Sequence, residues 1–573
     1  MGFISGILET IGITAIIPLF SFVLKDKTGG TDIISTTFTK FFGFINIQLN
    51  FYVLAAFIIL LFIAKSIVLL WANNINAKIT ANFEKQMRVD MFRSVLNTNW
   101  TFLSGQKIGY LEKIVMDHIA RTSEMLRHLS GTILLITNLL IYIFIALNIS
   151  SIITLLTLSI GCILFLFYKP IAHKTRKISQ YYADNNKIVA NIINENMIGI
   201  KTIKATASEN KVWEKVKKHF NELQFARVRM SVLSYIAIAF LQPIIIIFII
   251  ILFAFSYTRP DFNLASFVVI IYLIQKIFSY IQNIQGKLQT IYESLPYLKS
   301  VVDNKKIIRH NKEITDGNEV FDFQKEITFK KISFFYSPEK GIVLNDVNFT
   351  IKKGESVGLV GPSGAGKTTI VDLLLRLFEP NSGEILIDGK NINTINVKKW
   401  REVIGYVSQD IFLLNDSIEN NIRFYDDSLS NEIVIKATKM ANIYDFIETL
   451  PEKLSTQVGE RGVKLSAGQR QRIILARVLA RSPKILILDE ATSSLDNESE
   501  VQVQNAIKNL KGKITVLAIA HRLATVMNSD TLLALENGKI IEQGEPENLL
   551  RDKNSYFYKV FHIRDNGDAI NHK

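Results

Sequence analysis

The residues best suited to do chemistry begin at Gly361. The run Gly361-Pro362-Ser363-Gly364-Ala365-Gly366-Lys367-Thr368 fits the pattern G-x-x-x-x-G-K-[ST]. Glycines at this spacing keep side chains off the backbone, so that N–H groups can close around phosphate oxygens. Lys367 adds a point charge for the β- and γ-phosphates of a nucleoside triphosphate, and Thr368 a hydroxyl for Mg²⁺. Further on, the run Ile485-Leu486-Ile487-Leu488-Asp489-Glu490 ends in two adjacent carboxylates. Asp489 is placed to stand beside a Mg²⁺ held by Thr368, and Glu490 to face the γ-phosphate and orient or deprotonate a water. Tyr336, closing a Ser-Phe-Phe-Tyr run, offers an aromatic face to adenine; His521, after the apolar run Thr515 to Ala520, offers a ring nitrogen to the γ-phosphate. Taken alone, these two read as a strand aromatic and a core histidine; a phosphate loop upstream supplies the ligand that gives them a role.

Such groups act only if fixed elements carry them. Ser356 to Val360 reads as a buried strand and Thr369 to Phe378 as a helix, so the loop lies in a strand–loop–helix setting. The helix then turns its free N-terminal N–H groups and positive dipole end toward the same anion. A glycine-rich turn that binds nothing is not required to have these neighbours. From about Glu319 onward the chain alternates short strand-like runs, glycine-containing turns and amphipathic helices, an α/β pattern expected over residues 319–573. The Lys-, Asn- and Asp-rich stretch before it, residues 301–318, reads as a linker.

The first half has a different texture. At 573 residues the chain holds several folding units, and a hydrophobic fraction of 48% with mean hydropathy +0.22 is high for a soluble protein. The long apolar runs all precede about residue 290. A membrane span needs ~20 apolar residues to cross a ~30 Å hydrocarbon core, and six stretches qualify, about 2–24, 51–71, 133–147, 152–167, 232–255 and 264–280. They predict an all-α six-helix domain over residues 1–300. Residues 73–128 carry eight Lys and Arg, and residues 169–230 carry thirteen, against few in the opposite connections. This asymmetry places both long segments, and everything after the sixth span, in the cytoplasm. The net charge of +14 is concentrated in these segments, which suits membrane headgroups rather than nucleic acid. The first run lacks a basic lead and is too long for a cleaved signal core. A single cysteine, Cys162, rules out an intrachain disulfide framework and any CxxC metal site. Ionisable residues inside spans are functional candidates by default, and Glu9 and Lys65 are the clearest; the alternative for each is a helix-end side chain snorkelling to water.

Taken in order, these motifs resemble the ATP-binding cassette (ABC) exporters of half-transporter type, with one six-span domain followed by one P-loop ATPase cassette. The resemblance covers essentially the whole chain. It implies ATP and Mg²⁺ as cofactors and ATP hydrolysis coupled to transport. By it Tyr336 stacks on adenine, Gly361 to Thr369 is the phosphate loop, and Gln409 senses Mg²⁺ and couples to the membrane domain. Asp489 is the Mg²⁺ carboxylate, Glu490 the catalytic base and His521 the switch histidine. Leu465-Ser466-Ala467-Gly468-Gln469 matches the family signature, which implies that Ser466, Gly468 and Gln469 close over ATP held by a second copy. Ala467 departs from the commonest pattern, which has glycine there. Residues 109–113 with Asp117, and residues 195–209, resemble cytoplasmic loops with short coupling helices. The chain begins at its first span without the amphipathic helix that usually precedes it in the family, as expected of a late start or a shortened chain. Leu8-Glu9-Thr10-Ile11-Gly12 through Pro18 resembles bacterial exporters of lipids and lipid-linked oligosaccharides. The expectation is a homodimer in the inner (plasma) membrane of a bacterium that moves an amphipathic or lipid-linked substrate. The alternatives are a multidrug or hydrophobic-compound exporter and, in another class, an ATP-regulated channel or membrane sensor.

Overall fold

A computed structural model of the chain describes residues 2–16, 18–19, 33–239, 241–257, 264–315, 317, 321–491, 497–519 and 526–559. The chain divides into two compact units, one of Met1–Thr98 and Phe102–Lys312, the other of Asn99–Thr101 and Glu313–Lys573.

The first unit is helical. Among the described residues four helices are long and apolar enough to cross a membrane, Phe51–Leu96, Gly109–Ile149, Ser151–Ile198 and Phe267–His310, and Gly2–Thr14 and Gln242–Tyr257 are shorter apolar helices. The Phe51–Leu96 helix starts where Asn50 accepts a hydrogen bond from the Val53 N–H at 2.8 Å. Its 46 residues and the 48 of Ser151–Ile198 correspond to about 70 Å at ~1.5 Å per residue, more than twice the hydrocarbon thickness. The basic segments are therefore largely continuations of the spans rather than loose loops. Ser150, in extended conformation, is the one residue between Ile149 and the next helix. Pro170 lies deep inside Ser151–Ile198 and Pro296 deep inside Leu264–His310. The latter helix runs through residues 301–310 and buries Val301 and Ile308, so the expected linker is helical over its first ten residues. Short helices occur at Ile108–Lys113 and Ile200–Ala205, within the two segments resembling coupling loops.

The second unit is α/β. Strands β1 (Glu326–Phe334), β2 (Leu344–Lys352), β4 (Ser382–Ile387) and β5 (Lys390–Asn391) form an antiparallel sheet of order β2-β1-β4-β5. Strands β3 (Ser356–Val360), β6 (Ile404–Val407), β7 (Ile485–Asp489), β8 (Thr515–Ile519), β9 (Thr531–Glu536) and β10 (Lys539–Gly544) form the other sheet, of order β10-β9-β3-β8-β7-β6. The last sheet is parallel except for the β9–β10 pair. Strands β3, β7 and β8 are buried at every residue, which explains their continuous apolar runs in place of alternation. One hydrophobic core joins both sheets to the helix Lys367–Leu374 through Ile370, Val371, Leu373 and Leu374. Burying each such side chain is worth ~1.5–3 kcal/mol. The Trp400 indole N–H adds a 2.7 Å hydrogen bond to the Leu374 carbonyl. A second core gathers Ile418, Ile422, Val434, Leu465, Ile473 and Leu486.

Candidate nucleotide site

The phosphate loop leaves β3, between β8 and β9 in the sheet. At Gly361 an added Cβ would lie 2.1 Å from the Leu535 carbonyl oxygen, so no side chain fits. Gly366 has φ +105° and an added Cβ there would meet Leu344 Cδ2 at 2.7 Å, so both handedness and space call for glycine. The helix Lys367–Leu374 starts directly after it. Its first-turn N–H groups have no acceptor within the helix and form the positive end of its dipole. Lys367 is 6% exposed, and its Nζ donates to the carbonyls of Gly361 and Pro362, each at 2.9 Å. The ammonium is thus threaded through the loop. Pro362, Ser363, Gly364 and Thr368 lie exposed on its open side, while Ala365 and Thr369 are buried. The Tyr336 hydroxyl sits 2.9 Å from Thr369 Oγ1, and Phe378 packs edge-on to its ring at 5.2 Å. The tyrosine remains 43% exposed, so a ring face stays open to a flat heterocycle beside the loop.

Strand β7 delivers the carboxylates. Asp489, 3% exposed, accepts a 3.5 Å hydrogen bond from the Tyr406 hydroxyl on Oδ2, while its Oδ1 has no hydrogen-bond partner among the described residues. Burial, and then the Glu490 charge, push its pKa up to about 6. Asp372, on the phosphate-loop helix, is likewise pushed up to about 6 by burial and then by Asp489. An orphaned buried carboxylate oxygen, a second raised carboxylate and the Thr368 hydroxyl form an all-oxygen donor set of the kind that hard cations take. Among the described residues no group of three or more His, Cys, Asp or Glu is arranged to hold a metal by itself. The residues therefore fit a Mg²⁺ that completes its shell with phosphate oxygens and water.

Asp372 was not among the residues singled out from the sequence. Its signal was available: it stands four residues after Thr368 on one helix, hence on the same face. Its raised pKa carries a sign. The folded chain holds the proton to higher pH than the unfolded chain, so ionised Asp372 costs stability that grows between about pH 4 and pH 6 and levels off above. Asp372→Asn is expected to raise the cassette's nucleotide-free melting stability by ~1–3 kcal/mol at pH 7.5, with the gain gone near pH 4. Thermal melts across that pH range check it.

Glu490 follows β7 with a left-handed backbone, φ +49°. This breaks strand alternation at the residue after Asp489, a sparsely populated geometry typical of functional positions. The Glu490 N–H donates to the Ile519 carbonyl at 3.0 Å, and Gln409 Nε2 donates to Glu490 Oε2 at 2.6 Å. Gln409 and Glu490 thus meet from the ends of neighbouring strands β6 and β7. Ser494-Leu495-Asp496 and His521 lie outside the described residues.

The helix that follows the signature packs into the second core through Ile473 and Ile474, and Leu465 joins them there. Ser466 caps the helix Ala467–Leu479, accepting from the Gln469 N–H at 3.2 Å while Gln469 Oε1 accepts from the Ser466 N–H at 2.9 Å. This reciprocal capping box gives Gln469 a structural task at the helix end. Ala467 opens the helix, where alanine is the best helix former, so the backbone does not require glycine there. Gly468 is different: an added Cβ would fall 2.1 Å from Ser499 Oγ. Arg477, a residue the sequence reading passed over, is 9% exposed and donates to the Asn421 and Phe412 carbonyls at 2.7 and 2.9 Å. It ties the signature helix to the segment that follows Gln409. Burial, and then Arg481, pull its pKa down to about 10.

Residues 344–493 match the ABC transporter family, and residues 1–284 match the ABC transporter transmembrane region. The chain is 30% identical over 484 residues to the heterocyst differentiation ATP-binding protein HepA of Nostoc sp., covering 82% of this chain and 78% of that protein. It is 48% identical over 242 residues to the toxin RTX-III translocation ATP-binding protein of Actinobacillus pleuropneumoniae, a match that takes in 42% of this chain and 34% of that one. Its fold is similar to a bacterial Atm1-family ABC exporter with ATP bound, at a TM-score of 0.79 and 22% identity over 98% of this chain and 97% of that one. With the helical membrane half, the α/β cassette and the phosphate loop in one polypeptide, the chain belongs to the ABC transporters, as a multi-pass ATP-driven exporter whose cytoplasmic cassette binds ATP with Mg²⁺ and hydrolyses it.

Proposed function

We propose that two copies of this chain form a homodimer in the inner membrane of a bacterium and export a lipid or lipid-linked oligosaccharide. In this reading residues 1–300 make the membrane domain and residues 319–573 the cassette. The observation that carries the substrate class is an ion pair inside the apolar spans: Glu9, 1% exposed, lies 2.8 Å from Lys65. Charges retained at such depth mark a pathway for a polar group attached to an apolar one. The match to toxin-translocation proteins favours protein export as a second reading. That match spans about a third of their length, so it supports a shared ATPase engine more than a shared cargo.

Within the cassette, Lys367 and the loop N–H groups hold the phosphates of ATP, and Tyr336 stacks on its base. Thr368, Gln409 and Asp489, with Asp372 beside Asp489, would hold Mg²⁺, which would supply charge neutralisation at the phosphates. Glu490 accepts a proton from the attacking water while Gln409 fixes its carboxylate, and His521 contacts the γ-phosphate. Ser466, Gly468 and Gln469 of one copy close on the loop of the other. Closure is driven only so far as ATP binds the closed pair better than the open one.

Co-expression tests the dimer. Lys367→Ala and Gly468→Asp copies are each expected to be inactive alone. Mixed, they regain ATPase activity, because the heterodimer keeps one intact composite site only if the signature acts in trans. An inactive mixture with proven heterodimers overturns the trans arrangement. ATP-dependent flipping of fluorescent lipids in sealed proteoliposomes tests the cargo.

A further inference from the structure

The Glu9–Lys65 pair is not a closed pair. Lys276, from the Leu264–His310 helix, also donates to Glu9, 3.1 Å from the same Oε1 that holds Lys65, and the Tyr280 hydroxyl donates to Oε2 at 3.2 Å. Three helices of the first unit thus converge on one carboxylate. Lys65 and Lys276 lie about 21 Å and about 18 Å along their helices from Phe51 and Leu264 at ~1.5 Å per residue, well inside a ~30 Å hydrocarbon core.

Charge balance and exposure give the cluster a direction. Two ammonium groups share one carboxylate, leaving an excess positive charge where the medium solvates it poorly, and a buried charge without a counter-ion is strongly disfavoured. The Glu9 side chain is 2% exposed, whereas those of Lys65 and Lys276 are 19% and 31% exposed. The carboxylate is therefore shut off, while both lysine side chains keep part of their surface accessible. A second polar signal adjoins it. Asn138 is 4% exposed, and its Oδ1 has no hydrogen-bond partner among the described residues. It sits where a Cβ on Gly6 would be 2.7 Å away, three residues before Glu9 and so on the same helix face.

We infer that Lys65 and Lys276 form a clamp, held at its spacing by Glu9 and Tyr280, for the anionic phosphate headgroup of the exported amphiphile. The inference rests on the reading of the chain as a lipid exporter and adds the headgroup charge and the residues that recognise it. Two ammonium groups around a common centre suit a phosphate or pyrophosphate, whose oxygens accept from both at once. Zwitterionic and cationic headgroups lack the net charge that the cluster needs. An apolar drug would leave the positive charge in excess of Glu9 without a counter-ion.

The test uses the full chain in proteoliposomes with three fluorescent probes: a polyprenyl phosphate, phosphatidylglycerol and phosphatidylcholine. The wild type is expected to flip an anionic probe in preference to phosphatidylcholine. The first two probes separate a polyprenyl carrier from a bulk phospholipid as the source of the phosphate. Lys65→Gln/Lys276→Gln should raise the half-saturating concentration of the anionic probe at least tenfold. Lys65→Arg/Lys276→Arg should restore most of the lost affinity. Unchanged concentration dependence in the glutamine variant, or equal flipping of phosphatidylcholine by the wild type, overturns the clamp while the lipid-export reading stands. If the wild type flips none of the probes, that reading fails. The clamp is then judged by direct binding of polyprenyl phosphate to detergent-purified protein. Binding that is weakened tenfold in the glutamine variant supports it, and equal binding overturns it.

Discussion

Glu490→Gln is expected to leave ATP binding intact and to slow hydrolysis by ~10²–10⁴-fold, the usual contribution of a positioned general base. The substitution is nearly isosteric, keeps the left-handed backbone at φ +49°, and still offers an oxygen to the Gln409 amide now 2.6 Å away. What it removes is the ability to take a proton. Binding and turnover should therefore separate: a fluorescent ATP analogue titrates as in the wild type, while phosphate release nearly stops. In the proposed homodimer the variant should also accumulate in the ATP-bound closed state, because the hydrolysis proposed to reopen it is missing. Turnover within a few-fold of wild type would remove Glu490 from the role of base.

Gly361→Ala is expected to damage both the cassette fold and ATP binding. The new methyl group would be 2.1 Å from the Leu535 carbonyl oxygen, and neither side can retreat easily. Val360 is in register with Ala534 in the parallel β3–β9 ladder, and β3 is also paired with β8. Relief must come from breaking ladder hydrogen bonds or displacing the loop, at a cost of ~1–3 kcal/mol or more. ATP affinity should fall at least tenfold, the equivalent of ~1.4 kcal/mol. Gly364→Ala is the internal control. It meets no atom within 4 Å and suffers only the strain of its φ of +81°. Melting temperature and ATP dissociation constant, measured on both variants, check the ranking; equal effects would contradict the close approach at Leu535.

Local signals in the sequence were enough for much of the site. The phosphate loop announces itself because strand, glycines and helix are contiguous, and Asp489 because four buried residues lead straight into it. What stayed hidden depends on pairings across long stretches of chain. Gln409 and Glu490 are 81 residues apart, and nothing in either segment names the other as a partner. Glu9 was visible as a charge in an apolar run, yet Lys276 lies 267 residues away in another span whose rotation no local pattern reveals. Gly468 reads as a motif letter until Ser499 is seen against it. Asp372 was missed for another reason: a carboxylate on a helix that also carries Leu373 and Leu374 looks like ordinary amphipathic spacing. Only its closeness to Asp489 makes it part of the site.

The long helices of the first unit have a mechanical consequence. A helix of about 70 Å is a lever arm, and tilting it by one degree moves its far end by about 1 Å. The Phe51–Leu96 helix contains no proline, so a push on its cytoplasmic tip is delivered to its other end as displacement with little loss to bending. The helices with Pro170 and Pro296 inside them lack a backbone N–H at those points and kink there by preference. The bundle thus contains two kinds of transmission shaft: stiff ones that gear a small angle up to a large stroke, and jointed ones that let the two ends of a span turn through different angles.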